Sequence, residues 1–306
     1  MLTRLKPTSK QRSHDSSGSR PLAVWVGGAA LLLAALLWRL RDTGPGWRLA
    51  GAAGGGYVLF KLAAIAGPQR TEFVALTSEA KLLFGLPWPG FDAGRFKTRT
   101  NDGSSQDRLV GGGVRLLAGT FVMMVAASNL DEWGEAAAWL GVTGILLIVH
   151  LGYADLLTWV ARDRGYAVRP LFDRPWASRS LAEFWTRRWN VAFVEMDRIL
   201  FLPILRRWLD PRAAAFGVFL ISGVLHELAI SYPAGSGFGK PMAYFGIHGI
   251  AVYAERTIVR VHNRPLWLAR TWTVLVVVIP LPLLFHEAFR TELIVPLLEV
   301  IGQVLS

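Results

Sequence analysis

Long apolar runs, separated by loops that carry arginine, constrain this chain more than any other feature. A bilayer core of about 30 Å is crossed by about 20 helical residues. Runs of that order cover residues 21–38, 47–66, 109–127, 136–160, 212–230, 242–259 and 266–284, the third interrupted by Arg115. A last stretch, 293–305, is shorter. The expectation is an all-α, polytopic transmembrane helical bundle of seven to eight spans. Composition agrees: 52% of residues are hydrophobic and only 18% charged, against about 25% charged in soluble domains. The 13 Trp suit the lipid–water boundary.

The 306 residues divide into two parts. Residues 1–20 are polar, basic and Ser-rich, and are expected to be a disordered tail. Residues 21–306 form one membrane-embedded domain. The first apolar run ends at Trp38–Arg39 without a small-residue cleavage site, so it reads as a retained anchor. The chain has no Cys, which excludes disulfides, thiolate metal sites and a cysteine nucleophile. A net charge of +11 suits an anionic membrane face; no nucleic-acid partner is expected.

Lys and Arg in the loops set orientation. Loop 67–108 holds Arg70, Lys81, Arg95, Lys97, Arg99 and Arg108, and loop 161–211 is richer in Arg still. Loop 128–135 has Asp131, Glu132 and Glu135 and no basic residue. The N-terminus is therefore expected in the cytoplasm. Only the first outer loop, with Arg39, Arg41 and Arg48, goes against the rule. The Ala-, Gly- and Arg-rich composition suggests a GC-rich bacterial genome and its cytoplasmic membrane. Gly51 and Gly55 read as a helix-packing pair, since the Gly-Lys-Ser/Thr ending of a phosphate loop is missing.

Ionisable residues inside spans mark function. The fifth run carries Ser222-Gly-Val-Leu-His226-Glu227, with Asp210 and Pro211 placed to start its helix. Ser222 lies one turn back on the face of His226; Glu227 points about 100° away. A zinc-protease motif is excluded because position 230 is Ile. The sixth run carries Tyr244, His248 and Glu255 on one face. Simple counting puts His226 and His248 at similar depth, so they can line one cavity. His150, in the fourth run, is a weaker candidate; His14, His262 and His286 lie in the tail or near span ends.

Between the fourth and fifth runs lies Ser180-Leu-Ala-Glu-Phe-Trp-Thr-Arg-Arg-Trp-Asn190. Ser180 and Glu183 fit a capping box. Trp185, Trp189, Phe193, Met196 and Leu200 then recur at helical spacing. The spacing predicts one amphipathic helix that lies on or dips into the membrane. Asn190 is uncharged at the edge of the stripe, and Arg187 and Arg188 can bind the phosphates of an activated substrate.

These residues resemble a known family. The Ser180 to Asn190 run, followed by Ser222-Gly-x-x-His226-Glu227 and Phe245-Gly-x-His248…Glu255, is similar to the wax-synthase branch of the membrane-bound O-acyltransferases. Trp88-Pro-Gly-Phe-Asp92 also fits. The resemblance covers about residues 75–260. It implies an internal tunnel and acyl transfer from acyl-CoA, a co-substrate, to the hydroxyl of a lipid-soluble acceptor, with no bound cofactor or metal. It maps catalytic roles onto His226 and Asn190. The residues themselves suggest Trp185, Arg187, Arg188, Trp189, Ser222, Glu227, His248 and Glu255 as substrate contacts. The chemistry fits the residues: a neutral imidazole can take the hydroxyl proton, and an Asn amide can donate to the oxyanion. The expected acceptor is a long-chain alcohol; diacylglycerol, sterols and acetyl transfer are alternatives within the family. A transporter with a His226/His248/Glu255 proton path is the alternative outside it, and a non-catalytic member that keeps the fold is another.

One conflict remains at this level. Counting puts Asn190 near the cytoplasmic surface and His226 past the midplane, about 15–20 Å deeper. Either the Ser180 helix dips into the membrane, or Asn190 holds the thioester away from the reacting carbonyl.

Overall fold

In the computed structural model, residues 16–99, 105–259 and 261–305 are described, and they are 81% helical with no strand. Six helices are long and apolar enough to cross a membrane: α1 (16–40, with its apolar part at Pro21–Leu40), α2 (Pro45–Ala66), α3 (Ser105–Ser128), α4 (Glu135–Asp163), α7 (Pro211–Ala234) and α9 (Leu266–Leu284). Between them lie α5 (181–188), α6 (191–205) and α8 (240–259), and α10 (287–305) closes the chain. The chain is an all-α polytopic membrane protein.

Two expectations shift at the ends. The tail expected at 1–20 falls, for residues 1–15, outside the described residues, as does His14. Residues 16–20 already belong to α1. The sixth expected span, 242–259, is the 15-residue α-helix Lys240–Ala254 followed by a π-helical turn, and is not among the six.

The helices form pairs: α1 packs on α2, α3 on α4 and α10, and α7 on α8. Gly51 and Gly55 make the first pairing close. A Cβ on either would strike Leu40 or Leu36 of α1, at 2.2 and 2.5 Å, as the packing reading requires. Large apolar side chains such as Leu31, Leu117, Phe121 and Ile279 stay exposed on the outer surface. That is where lipid tails replace water. Trp38, Trp47, Trp208 and Trp267 are exposed at or near helix ends, as expected of interfacial anchors.

Arg115, which interrupts the third apolar run, is paired. It bonds Asp155 of α4, a buried carboxylate that also accepts from Arg108 at 2.9 Å. Arg108 reaches on to Asp173 at 3.2 Å. The network fastens α3 and α4 to the loop that carries Phe172.

The expected single amphipathic helix is two helices. Ser180 does cap α5, its hydroxyl accepting the Glu183 N–H at 3.0 Å. The helix ends at Trp189, whose backbone is extended, and Asn190 takes the left-handed conformation (φ 45°, ψ 61°). Asn tolerates that region better than most residues. Its side chain then caps α6, with Oδ1 accepting the Phe193 N–H at 3.2 Å. The pair also does not lie on a surface: Leu181, Phe184, Val191, Met196, Leu200 and Phe201 are buried.

Candidate active site

The turn at Asn190 bears on the depth conflict. It directs α6 along α7, so that the Phe193 ring, whose N–H Asn190 caps, lies 6.0 Å from the His226 ring. Phe193 thus links the Asn190 cap to the His226 ring. The segment is packed among other helices, with Leu181, Phe184, Val191 and Leu200 buried.

His226 has a defined tautomer. Its Nδ1 lies 2.7 Å from the Ser222 carbonyl oxygen. A carbonyl only accepts, so Nδ1 carries the hydrogen and the neutral ring presents an Nε2 lone pair. Ser222 acts through its backbone, one turn back on the same face. The Asn190 amide is likewise oriented. Its oxygen is used by the cap, which leaves the two N–H donors of Nδ2 without a partner among the described residues. His226 thus offers an oriented proton acceptor and Asn190 an unengaged donor, with Phe193 between them.

Aromatic rings connect the rest. Phe245 of α8 packs 4.3 Å from the His226 ring. Trp185 meets Phe245 at 5.7 Å and the His248 ring, edge to face, at 5.2 Å. Trp189 stacks on Phe184 at 5.5 Å and on His150 at 6.2 Å. His150 is the residue that sequence reasoning undervalued: it stacks on Trp189 from α4, while His248 of α8 meets Trp185 and His226 of α7 meets Phe193 and Phe245. Nothing in its local sequence signals this, because its partner is Trp189, a residue far along the chain.

Several buried polar atoms have no partner here: His150 Nδ1, His248 Nε2 and Trp185 Nε1. His248 is fully buried, and its Nδ1 is spent on the Tyr244 carbonyl at 2.8 Å. Buried polar groups are normally bonded, so the cluster is suited to a polar guest. Beside it, an apolar cavity of about 360 Å³ is lined by Leu33, Leu37, Phe60, Phe201, Ile221 and Leu225. Ile221, Leu225 and Phe193 pack in one apolar cluster with Phe201, so the cavity adjoins the wall of the His226 site.

Other expected substrate contacts are already engaged. Arg188 donates to Glu183 at 2.7 Å and to the Asp173 carbonyl at 3.1 Å, while Arg187 remains exposed. Glu227 and Glu255 are bonded to backbone N–H groups of other elements. The two carboxylate oxygens of Glu255 each accept one such bond. That arrangement gives no support to a proton path through it.

Residues 168–246, which carry α5, α6, α7 and the start of α8, match the membrane bound O-acyl transferase family. The matched stretch contains Trp185, Asn190 and His226. This stretch resembles the wax-synthase-like branch of the membrane-bound O-acyltransferases. It is 34% identical over 109 residues to the probable long-chain-alcohol O-fatty-acyltransferase 1 of Arabidopsis thaliana, covering 31% of each chain. It is 34% identical over 107 residues to the acyl-CoA–sterol O-acyltransferase 1 of the same plant, covering 31% of this chain and 30% of that one. A diacylglycerol O-acyltransferase 1 of Dictyostelium discoideum is 28% identical over 173 residues, covering 56% of this chain and 26% of its own. The chain spans about a third of the length of the first two relatives. The family match thus covers His226, Asn190 and Trp185, while His150, His248 and the pair α1–α2 lie beyond it.

Proposed function

We propose that this chain moves a fatty acyl group from acyl-CoA to the hydroxyl of a hydrophobic acceptor, a long-chain alcohol above all. The observation that carries the reading is the pairing of a base and a donor. His226 keeps a free Nε2 because Ser222 holds its Nδ1 hydrogen. Asn190, capping the helix whose Phe193 packs on that ring, keeps its amide hydrogens free.

The chemistry follows. The acceptor hydroxyl attacks the thioester carbonyl carbon and gives its proton to His226 Nε2, a step typically worth about 10² to 10⁴ in rate. The carbonyl oxygen becomes an oxyanion, and the Asn190 amide donates to it. The C–S bond then breaks. Coenzyme A leaves as the thiolate and takes the proton back from the imidazolium, so the ring returns to its starting tautomer. No acyl-enzyme is needed. The apolar cavity beside Phe201 and Ile221 suits an alkyl chain. The exposed Arg187 stays available to the charged end of the donor. On this reading the chain lies in a bacterial cytoplasmic membrane with its N-terminus in the cytoplasm, supported by the arginine-rich loops.

The test supplies radiolabelled palmitoyl-CoA to purified protein in nanodiscs, with hexadecanol, diacylglycerol, a sterol or water alone as acceptor. Labelled ester with hexadecanol, formed faster than with the others, is the expected result. Ester with diacylglycerol or sterol alone would keep the transfer and replace the acceptor. No ester and no coenzyme A release, from folded protein and with acetyl-CoA as well, would overturn the reading.

A further inference from the structure

Three glutamates do the same thing at three joints of the site. Glu227, on α7 next to His226, accepts the N–H groups of Gly239 and Met242 with its Oε1, at 2.9 and 3.0 Å. Those amides belong to the start of α8, where helix geometry leaves the first N–H groups without an intrahelical acceptor. Glu255, on α8 and fully buried, accepts the N–H groups of Leu181 and Ala182, at 2.5 and 3.3 Å. These are the first residues of α5, and Ser180 takes the next free amide. Glu195, on α6, accepts the N–H groups of Phe91 and Asp92 with its Oε2, at 2.9 and 3.2 Å.

The loop at the third joint is held from its other side. Lys61 of α2, buried under the loop, donates to the Trp88 carbonyl at 3.2 Å and to the Gly90 carbonyl. Tyr57 donates to the Trp88 carbonyl at 2.8 Å. Gly90 is the residue this closeness demands: a Cβ there would lie 2.6 Å from Glu195 Oε2 and 2.4 Å from Trp88 Nε1. The first two joints run in series. The His226 helix fixes the His248 helix. The His248 helix fixes the start of the Trp185 helix. The helix capped by Asn190 fixes the Trp88–Asp92 loop against α2.

We propose that Glu227, Glu255 and Glu195 are positioning residues, carboxylate-to-backbone locks: the first two set His226, His248 and Trp185 relative to one another, and the third seats the helix capped by Asn190 against the Trp88–Asp92 loop. The proposal rests on the acyl-transfer reading for its rate measurements. It assigns the Glu of the His-Glu pair to the next helix and away from the proton transfer. Charge-assisted bonds of this kind are stronger than neutral ones, and each closes on two amides that lack another acceptor. The locks also have different tolerances. Glu227 and Glu195 each use one oxygen, so the carbonyl of Gln can replace it. Glu255 uses both, and Gln can supply only one.

The experiment pairs hydrogen–deuterium exchange with turnover in the full-length protein. Exchange is read on peptides covering 88–93, 179–184 and 237–243. Each alanine variant is expected to speed exchange at its own pair of amides: Glu227→Ala at 239 and 242, Glu255→Ala at 181 and 182, Glu195→Ala at 91 and 92. Displacements of about 1 Å at a reacting centre cost about 10²-fold, so Glu227→Ala and Glu255→Ala should lower kcat by about that factor. Glu227→Gln and Glu195→Gln should keep protection and stay within about threefold of wild-type kcat. Glu255→Gln should lose protection at one amide of its pair. That variant also serves if Glu255→Ala fails to fold.

Two results would overturn the proposal. One is alanine variants whose amides stay protected. The other is Glu227→Gln as inactive as Glu227→Ala with amides 239 and 242 still protected, since that would make the carboxylate a proton carrier. The exchange arm reads the locks even if wild-type protein makes no ester, a result that would remove the acyl-transfer reading instead.

Discussion

Helices α1 and α3 are uninterrupted α-helices of 25 and 24 residues, and large apolar side chains on both remain exposed. Helices α5 and α6 together cover fewer residues, change helical type within a few residues of their starts, and break apart at a left-handed Asn. The first kind of helix satisfies its backbone internally and needs only apolar length to sit in lipid. The second kind leaves helix ends inside the bundle, and each end must find an acceptor: Ser180, Glu255 and the Asn190 side chain supply them. The polar machinery of this protein is therefore concentrated where the helices are shortest. Irregular backbone is the means by which Phe193, just past the break, comes to pack on the His226 ring of a spanning helix.

This contrast can be broken by substitution, and the largest effect should fall on the ring. His226→Gln removes the Nε2 base; ester formation should drop by about 10³-fold or more, with insertion and melting unchanged. Retained turnover would remove His226 from the chemistry. Next comes the polar network that ties two long helices, α3 and α4, together. Asp155→Ala strands Arg115 and Arg108 beside α4, and breaking a buried pair typically costs about 3–5 kcal/mol. A fall in the melting temperature of purified protein should show it, and Asp155→Asn should fall between.

A subtler effect belongs to Asp197 of α6. Burial pushes its carboxyl well above the usual aspartate range, so the folded state holds a proton that the unfolded chain releases at lower pH. The sign is then fixed. Its contribution to stability is complete below the ordinary aspartate pKa of about 3.9 and is lost as pH rises through the folded value. Asp197→Asn should flatten the decline of melting temperature with rising pH; an unchanged slope would contradict this. The smallest effect should come from the lipid-facing helices. Leu117→Val, on an exposed face of α3, should alter stability by no more than about 0.5 kcal/mol and leave turnover intact.

How much of this is written in the sequence follows the same contrast. The bounds of α3, α4 and α7 follow the apolar runs closely, because spanning requires length whatever the neighbours are. The Ser180 cap is equally local. The break at Asn190 is hidden, because Trp185, Trp189, Phe193, Met196 and Leu200 keep helical spacing straight across it. A stripe of that kind reads as one helix until the backbone is seen to turn. The resemblance to acyltransferases picks out His226 and Asn190, but it does not show that Phe193 links them. The roles of Glu227, Glu255 and Glu195 are beyond sequence reading for a physical reason. Each acts on amides of a different element, and their partners carry no side-chain signature. His150 is similar: only the stack with Trp189 gives it a place.

The central claim is that the turn at Asn190 delivers a free amide donor to the His226 site, and Asn190 itself offers the most direct test. Asn190→Asp keeps an oxygen for the Phe193 cap and a residue that tolerates the left-handed turn, while removing both N–H donors. Asn190→Ala removes the donors and also the cap, a loss of about 1 kcal/mol. With palmitoyl-CoA and hexadecanol in nanodiscs, both variants should lose about 10²- to 10³-fold in kcat, and only Asn190→Ala should melt earlier than wild type. Full turnover by Asn190→Asp would contradict the account.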